Sequence, residues 1–181
     1  PPPPQPARVA LSILDAVFQK LEVPSASEAF NPSVVVHEGR LHAMARTSSG
    51  SRTTNLLGVI ENGVLTGARV CQDLAVYDRH HAPHRHGHED CRLFVWQGRL
   101  WATASVYDSM PGDGSARVGV LEISSEGDVV QTRVEHSDRI EKNWMPVVQG
   151  NQLRFVYSID HGIVREYGAT GPSGPVPTTR G

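Results

Sequence analysis

Three short polar clusters each stand directly before a strongly apolar segment, and their side chains suit the binding of a polar ligand. They supply carboxylates, carboxamides and cations: Asn31, Glu89, Asp90, Arg92, Lys142 and Asn143. A carboxylic acid can transfer a proton, cations hold phosphate or sugar oxygens, and amides bind hydroxyls. If the fold brings the three clusters to one axis, they would form a single ligand pocket. The alternative is that these residues bond neighbouring structural units to each other.

The apolar segments that follow the clusters repeat as β-hairpins. Apolar strands on either side of a turn with Gly or Asn predict hairpins over 34–46, 93–105 and 146–158. Equivalent leucines place the repeats 59 and 53 residues apart, at Leu41, Leu100 and Leu153. This regular return of the same hairpin predicts an all-β repeat architecture.

A second hairpin follows each of the first two, over 56–65 and 118–134. Two hairpins per repeat make a four-stranded unit, and a period of this length with four strands is typical of a β-propeller blade. Propellers usually close with four to eight blades, whereas about three account for most of this sequence. We therefore expect a propeller truncated to about three blades, either as a fragment or with blades supplied by another chain.

The remaining segments suggest the domain boundaries. Residues 1–7 form a proline-rich tail, and apolar residues at helical spacing predict a short helix over 8–21. Residues 8–29 then hold this N-terminal helix and a lead-in, and residues 30–167 hold the blades. The Gly- and Pro-rich residues 168–181 are interpreted as an inter-blade loop or a truncated end.

Composition excludes several classes of function. A net charge of −2 argues against a nucleic-acid surface, and no apolar run approaches the ~20 residues of a membrane span. The sequence does not begin with Met and carries no recognisable signal peptide, so localisation stays open, with the cytoplasm favoured. The composition is compatible with a homo-oligomer. Two cysteines, Cys71 and Cys91, make no disulfide framework.

Clustered histidines could form a metal site or a solvated loop, and tryptophans could stack on a sugar ring or pack in the core. Five histidines lie within nine residues: His80, His81, His84, His86 and His88. Their loop-like neighbours favour a solvated loop, so we predict no metal site, although His88 could reach phosphate beside Asp90. Trp96 and Trp101 are expected in the core, and Trp144 is the better candidate for a platform under a sugar ring.

Four motifs in order carry a resemblance to a known family. They are Asn-Pro-Ser at 31–33, Glu-Asp-x-Arg-Leu at 89–93, Lys-Asn-Trp-x-Pro at 142–146 and Tyr-Ser-Ile-Asp at 157–160. Each of the first three stands at the same point of its repeat. The order resembles the five-bladed β-propeller glycosidases and phosphorylases, which include β-1,4-mannosylglucose phosphorylases, β-mannooligosaccharide phosphorylases and related mannosidases.

The resemblance implies an enzyme that cleaves a β-mannosyl linkage by inverting phosphorolysis or by hydrolysis. It implies a mannose-containing oligosaccharide as partner, inorganic phosphate as co-substrate and no cofactor. Asp90 would be the acid, with its proton passed through a sugar hydroxyl. The resemblance also implies a set of residues that bind substrate or phosphate: Asn31, Arg46, Glu89, Arg92, Lys142, Asn143, Tyr157 and His161.

Some positions depart from the family pattern and leave alternatives open. Cys91 and His161 stand where the family has Pro, and His88 stands where an apolar residue is common. A mannosyltransferase could use the same site in the synthetic direction, and a non-catalytic propeller could bind glycans or proteins with it. Because part of the pocket would lie in further blades, we expect the 181-residue chain alone to have little or no activity.

Overall fold

The computed structural model describes residues 20–24, 26, 28–49, 52–75, 87–107, 116–134, 142–158 and 163–167. All regular elements in these ranges are β-strands, in agreement with the predicted all-β class. The first sheet contains β1 (Phe30–His37), β2 (Arg40–Ser49), β3 (Arg52–Glu61) and β4 (Val64–Val70). The second contains β5 (His88–Trp96), β6 (Arg99–Tyr107), β7 (Ala116–Ile123) and β8 (Val129–Val134). The third contains β9 (Met145–Gln149), β10 (Gln152–Ser158) and β11 (Ile163–Tyr167).

Each sheet is an antiparallel meander whose strands lie side by side in chain order. The five predicted hairpins are all present, and each sheet is therefore one blade. Two of the innermost hairpins turn through pairs of left-handed residues, Glu38-Gly39 and Gln97-Gly98. Left-handed backbone at both central positions is the type I′ turn, whose twist matches that of the flanking strands. The alternating pattern and the turn glycines thus determine the register together.

The blades stack through their first strands. β1 packs beside β5, and β5 packs beside β9, so the three strands surround one side of a common axis. Blades 1 and 2 share a core around Met44, Leu57 and Leu121. Blades 2 and 3 share a second core, in which Trp96 and Trp101 pack with Phe155. The prediction that both tryptophans belong to the core is confirmed.

One inter-blade hydrogen bond recurs at the turn end of the stack. His37 donates through Nε2 to the carbonyl oxygen of Gly98, at 3.1 Å. The equivalent residue of the next repeat, Trp96, donates through Nε1 to the carbonyl oxygen of Asn151, at 2.9 Å. A side chain four residues before the repeat leucine thus binds the turn of the following blade. The sequence repeat therefore specifies the hydrogen bond between successive blades as well as the strands of each blade.

Several predicted boundaries lie outside the described residues. These are the proline-rich tail, residues 8–19 of the predicted helix and the segment 168–181. Lys20 and Leu21, the last residues of that prediction, are not helical, and Glu22 forms a parallel bridge with Val64. No helix long and apolar enough to cross a membrane occurs in the described part of the chain. The three blades do not close a ring within these ranges.

Candidate functional site

Each innermost strand begins near a residue with left-handed backbone, and the three residues are equivalent in the repeat. Asn31, Asp90 and Asn143 have φ angles of 48°, 52° and 60°. The strand register shifts at the first two of these positions. Asn and Asp adopt this conformation more readily than other side-chain-bearing residues, and such bulges re-aim side chains. The same local irregularity thus directs three polar side chains toward the axis between the blades.

The three residues line a pocket of about 340 Å³ at the strand-start end of the stack. Its wall is completed by Pro32, Ser33, Cys91 and Arg92. The structure therefore brings together four residues predicted to share a ligand site: Asn31, Asp90, Arg92 and Asn143. Their convergence follows from stacking equivalent positions of successive blades. The role of each residue stays a prediction.

The pocket residues also join the blades. Asn31 Nδ2 donates to Asp90 Oδ1 at 2.7 Å, which links blade 1 to blade 2. Arg92 Nη2 donates to Asn143 Oδ1 at 3.1 Å, which links blade 2 to the segment leading into blade 3. The interpretation that these residues bond neighbouring blades is therefore confirmed, and their binding of a ligand stays a prediction.

Arg46, on β2, binds two neighbouring carboxylates. Its Nη2 lies 2.9 Å from Glu89 Oε1, and its Nη1 lies 3.1 Å from Asp90 Oδ1. The guanidinium carbon lies 5.1 Å from the centre of the Phe30 ring, so the group is stacked as well as paired. Thr53 donates to the same Glu89 oxygen at 3.3 Å. One guanidinium group thus binds two carboxyl groups.

Lys142 lies at the edge of this charged group. Its Nζ donates to the Tyr107 hydroxyl at 2.6 Å and lies 4.9 Å from the centre of that ring. The hydrogen bond to Tyr107 raises the pKa of Lys142, and the negative charges of Glu89 and Asp90 raise it further. Lys142 is therefore an ammonium ion at neutral pH, on the side of the molecule where the carboxylates lie.

The structure corrects two other sequence predictions. Trp144 is only 2% exposed and packs against Phe155 with ring centres 5.6 Å apart, so it is a core residue and not a sugar platform. His88 is buried and lines a different cavity from Asp90, so the predicted contact with phosphate beside Asp90 is wrong. The reason is the register shift between Glu89 and Arg92, because the left-handed backbone of Asp90 breaks the alternation that would otherwise place residues two apart on the same face.

Two of the predicted site residues, Tyr157 and His161, have no described side chain. Tyr157 belongs to β10, but only its backbone is described, and His161 lies outside the described residues, as do His80, His81, His84 and His86. Within the described ranges no group of His, Cys, Asp and Glu has an arrangement that could hold a metal ion.

The two cysteines are unreactive in this fold. Burial raises the pKa of Cys71 to about 12, with a further contribution from Asp128. Burial likewise raises the pKa of Cys91, which lies in the pocket wall. Since the thiolate is the nucleophile and both groups stay protonated at neutral pH, neither supplies one.

Sequence reasoning missed three residues that support the site. Ser33 Oγ accepts a hydrogen bond from the backbone NH of Leu93 at 2.8 Å and fixes β1 against β5. Thr53 holds Glu89, and Tyr107 holds Lys142. Ser33 stands in the Asn-Pro-Ser motif and could have been found from it. No pattern in the sequence pairs Thr53 or Tyr107 with partners more than 30 residues away.

Comparison with known proteins supports the architecture. No family model and no curated protein sequence matches the chain. Among solved structures, an α-L-arabinofuranosidase from Lactobacillus brevis is similar, with 14% identity and a TM-score of 0.52 over 89% of this chain. A thermostable family-43 glycoside hydrolase has 11% identity and a TM-score of 0.49 over 84% of this chain. A GH62 α-L-arabinofuranosidase catalytic domain from Coprinopsis cinerea has 15% identity and a TM-score of 0.47 over 82%.

The chain spans 60% of the Lactobacillus brevis structure, 56% of the family-43 structure and 49% of the Coprinopsis cinerea domain. Sequence identities this low indicate a shared fold and do not indicate a particular substrate. The first structure is named as an α-L-arabinofuranosidase, and the narrower resemblance to β-mannoside phosphorylases remains a prediction. The similarity to the first structure, together with the three stacked meanders, shows that this chain shares its fold with that arabinofuranosidase.

Proposed function

We propose that this chain is part of a carbohydrate-active propeller that transfers a mannosyl group between a β-mannoside and phosphate. The observation that carries the proposal is the convergence of Asn31, Asp90 and Asn143 on one polar pocket. Left-handed backbone at three equivalent positions has a conformational cost, and such strain tends to collect at functional sites. A carboxyl group among amides is a suitable lining for a hydroxyl-rich ligand.

Asp90 is the proposed acid because its position is held from two sides. Asn31 and Arg46 both donate to Oδ1, and no described residue donates to Oδ2. Oδ2 is therefore the oxygen proposed to face the sugar. In the proposed reaction a phosphate oxygen attacks the anomeric carbon while the glycosidic oxygen departs on the opposite side. The departing oxygen receives a proton from Asp90, passed through a sugar hydroxyl.

Phosphorolysis is proposed ahead of hydrolysis because the sequence resemblance implies it, and the described acids are compatible with it. Inverting hydrolases need a second carboxylate to activate water, whereas phosphate is itself the nucleophile. Among the described residues that line the pocket, Asp90 is the one acid. Glu89 lies next to it in sequence but is bound by Arg46 and Thr53.

Arg92 and Lys142 are the cations proposed to bind phosphate. Arg92 lines the pocket, and Lys142 carries its charge near Asp90. Arg46 was also predicted to bind phosphate or sugar oxygens, but both of its terminal nitrogens are bound to carboxylates. It is better placed to hold Asp90 in position than to bind an added anion.

A second candidate function is a propeller that binds a glycan without cleaving it. The contacts from Asn31 to Asp90 and from Arg92 to Asn143 favour it, because they satisfy pocket side chains within the protein. A glycan-binding protein needs pocket side chains held in place in this way, but it needs no acid to donate a proton. Loss of the Asp90 proton should abolish turnover in an enzyme, whereas a binding protein has no turnover to lose.

The test measures phosphate-dependent cleavage of a β-1,4-mannosyl disaccharide by the full-length protein and its variants. Asp90→Asn should lower kcat by about 10²–10⁴-fold, the usual worth of general acid catalysis, because an amide cannot donate the proton. Glu122→Gln, at an acid paired with Arg99 away from the pocket, is the matched control and should keep the parent rate. Equal rates with and without phosphate would contradict phosphorolysis. Binding of the disaccharide without turnover would support the non-catalytic candidate.

A further inference from the structure

The two faces of each blade can be assigned from the cores that they enter. In blade 2, Leu93 and Leu100 belong to the core shared with blade 1, whereas Phe94 and Trp101 belong to the core shared with blade 3. Phe94 pairs with Trp101 across β5 and β6, so both lie on one face of the sheet. A blade therefore has a preceding face, which contacts the blade before it in the chain, and a following face, which contacts the blade after it.

The preceding face of blade 1 is apolar and exposed. Counted from the repeat leucines, Leu41 is equivalent to Leu100, and Val36 is equivalent to Val95 of blade 2. Leu41 is 39% exposed, whereas Leu100 is 6% exposed. Val36 pairs with Leu41 across β1 and β2 and is exposed as well. Blade 1 thus carries the same kind of apolar face that blade 2 buries against its neighbour.

The following face of blade 3 is exposed in the same way. Val147 and Arg154 pair across β9 and β10, at the positions equivalent to Phe94 and Trp101. Val147 is 43% exposed, whereas Phe94 is 6% exposed. The stack of described blades therefore ends in two different open faces, a preceding face on blade 1 and a following face on blade 3.

These two open faces match the faces that already join blade 1 to blade 2. In that joint, Val35 on the following face of blade 1 and Val95 on the preceding face of blade 2 pack against the same core. Val147 is the equivalent of Val35 in blade 3, and Val36 is the equivalent of Val95 in blade 1. The open face of blade 3 is therefore suited to the open face of blade 1, which a single copy cannot use to contact itself without closing a ring.

The recurring hydrogen bond between blades gives independent support. Its donors are His37 and Trp96, four residues before the repeat leucine, and its acceptors lie in the turn of the following blade. In blade 3 the equivalent residue is Gln149, which is exposed and whose NH2 group is a donor. The acceptor position of blade 1 is the carbonyl of Gly39, in a turn with open space around its Cα. One end of the stack thus carries a donor and the other end carries the matching acceptor.

We propose that two copies of this chain associate head to tail, so that the following face of blade 3 in each copy packs on the preceding face of blade 1 in the other. A head-to-tail contact forms a ring when the number of units closes it. Two copies bring together six described blades, and propellers usually close with four to eight. One copy has too few described blades and three copies have too many. The association is therefore a closed dimer with two identical joints.

The dimer would complete the surroundings of the Asp90 pocket. Within one copy, Asn31 of blade 1 lies beside Asp90 of blade 2. At the joint between copies, Asn143 would lie beside Asn31 of the partner subunit, and the pockets of both copies would face one axis. The association itself needs no saccharide, so it is independent of the proposed function.

Sedimentation velocity of the chain at a series of protein concentrations tests the association. The parent should sediment at twice the mass of the chain and dissociate into single chains on dilution. Val36→Arg should raise the dissociation constant at least about 100-fold, because both joints would bury an unpaired charge. Val130→Arg is the matched control, since Val130 is 42% exposed on β8 of blade 2, away from both open faces, and it should keep the dimer. Circular dichroism checks that each variant is folded.

A second substitution distinguishes head-to-tail contact from contact between two identical faces. Val147→Arg, on the open face of blade 3, should also give single chains. An equal mixture of the Val36→Arg and Val147→Arg variants should dimerise about tenfold more readily than either alone, because one joint of the mixed pair is formed by two unaltered faces. If Val147→Arg leaves the dimer intact, the copies meet through blade 1 alone and the head-to-tail arrangement is wrong.

Two results with the parent chain would overturn the proposal. A chain that stays single at every concentration does not use these faces to bind a second copy, and other residues of the same chain are then the candidates to cover them. A mass that keeps rising beyond twice that of the chain would show an open assembly and would exclude the closed dimer.

Discussion

At the scale of single residues, Arg46 is the group on which the site depends. It pairs with Glu89 and Asp90 at once and is about four-fifths buried, as is Glu89. Arg46→Met should leave two carboxylates facing each other, which costs about 1.5–3 kcal/mol in unfolding free energy, the range for a lost hydrogen bond to a charged group. Urea denaturation measures this loss.

Arg40→Met is the matched control for that experiment. Arg40 pairs with Glu61 at 3.9 Å, and both side chains are more than half exposed. Such surface pairs contribute about 0–1 kcal/mol, so the unfolding curve should hardly move. Equal effects of the two substitutions would contradict a special role for Arg46.

His42 makes stability depend on pH. Burial lowers its pKa, and the nearby positive charges of His37 and Arg40 lower it further. The unfolded chain therefore binds a proton at a higher pH than the folded chain does. Stability from this group is complete above the ordinary histidine pKa of about 6.5 and declines as pH falls below it. The melting temperature should drop between pH 7.5 and pH 5.5, and His42→Gln should reduce the drop. An unchanged pH profile in that variant would exclude His42 as the cause.

The residues of the pocket could be predicted from sequence because they occupy equivalent places in a repeat. Asn31, Asp90 and Asn143 stand ten residues before the repeat leucines, and stacked blades must bring such positions together. Their partners could not be predicted in the same way. Arg46 stands on the second strand of its blade, and its pairing with Glu89 depends on how two blades pack.

At the scale of elements, Gly87 controls how β5 begins. Its φ is +78°, and a methyl group added there would overlap the carbonyl oxygen of Thr53 on β3. Gly98 also has a positive φ, of +72°, but open space surrounds its added methyl. Gly98→Ala should cost about 1–2 kcal/mol for the left-handed backbone alone. Gly87→Ala should cost more, because β3 and β5 must also separate.

Chemical denaturation of both glycine variants tests this difference. Gly87→Ala should in addition weaken the saccharide binding proposed for the Asp90 pocket, since Thr53 holds Glu89, which is paired with Arg46. Equal costs at the two positions would mean that the β5 lead-in can shift without strain.

The elements themselves were predictable because local patterns determine them. Alternating apolar residues and Gly-containing turns specify hairpins regardless of the rest of the chain. The environment of Trp144 was not predictable by the same means. Its polar neighbours Lys142 and Asn143 suggested an exposed ring, yet stacking of blade 3 on blade 2 buries it against Phe155.

At the scale of the whole molecule, the three blades differ in how much of their surface is covered. Blade 2 lies between the other two, and nearly every residue of β6 is buried. β1 is less covered, with Val34 53% and Val36 64% exposed. In blade 3, Met145, Val147 and Val148 on β9 are likewise exposed. Stability should therefore be highest in the middle of the stack, because each blade contacts only its neighbours.

Hydrogen exchange measured by mass spectrometry tests this gradient. Backbone amides of β6 and β7 should exchange slowest, since opening them breaks contacts on both faces of blade 2. In single chains, those of β1 and β9 should exchange sooner, although both strands are innermost in their blades and pair with the next strand. Leu121→Ala, at a fully buried residue of β7, should destabilise the chain by about 2–5 kcal/mol and accelerate exchange in all three blades. Val36→Ala, on the exposed face of β1, should change only its own surroundings. If β1 is protected as strongly as β6, its apolar face is covered in solution, and the exposed valines then mark a contact surface.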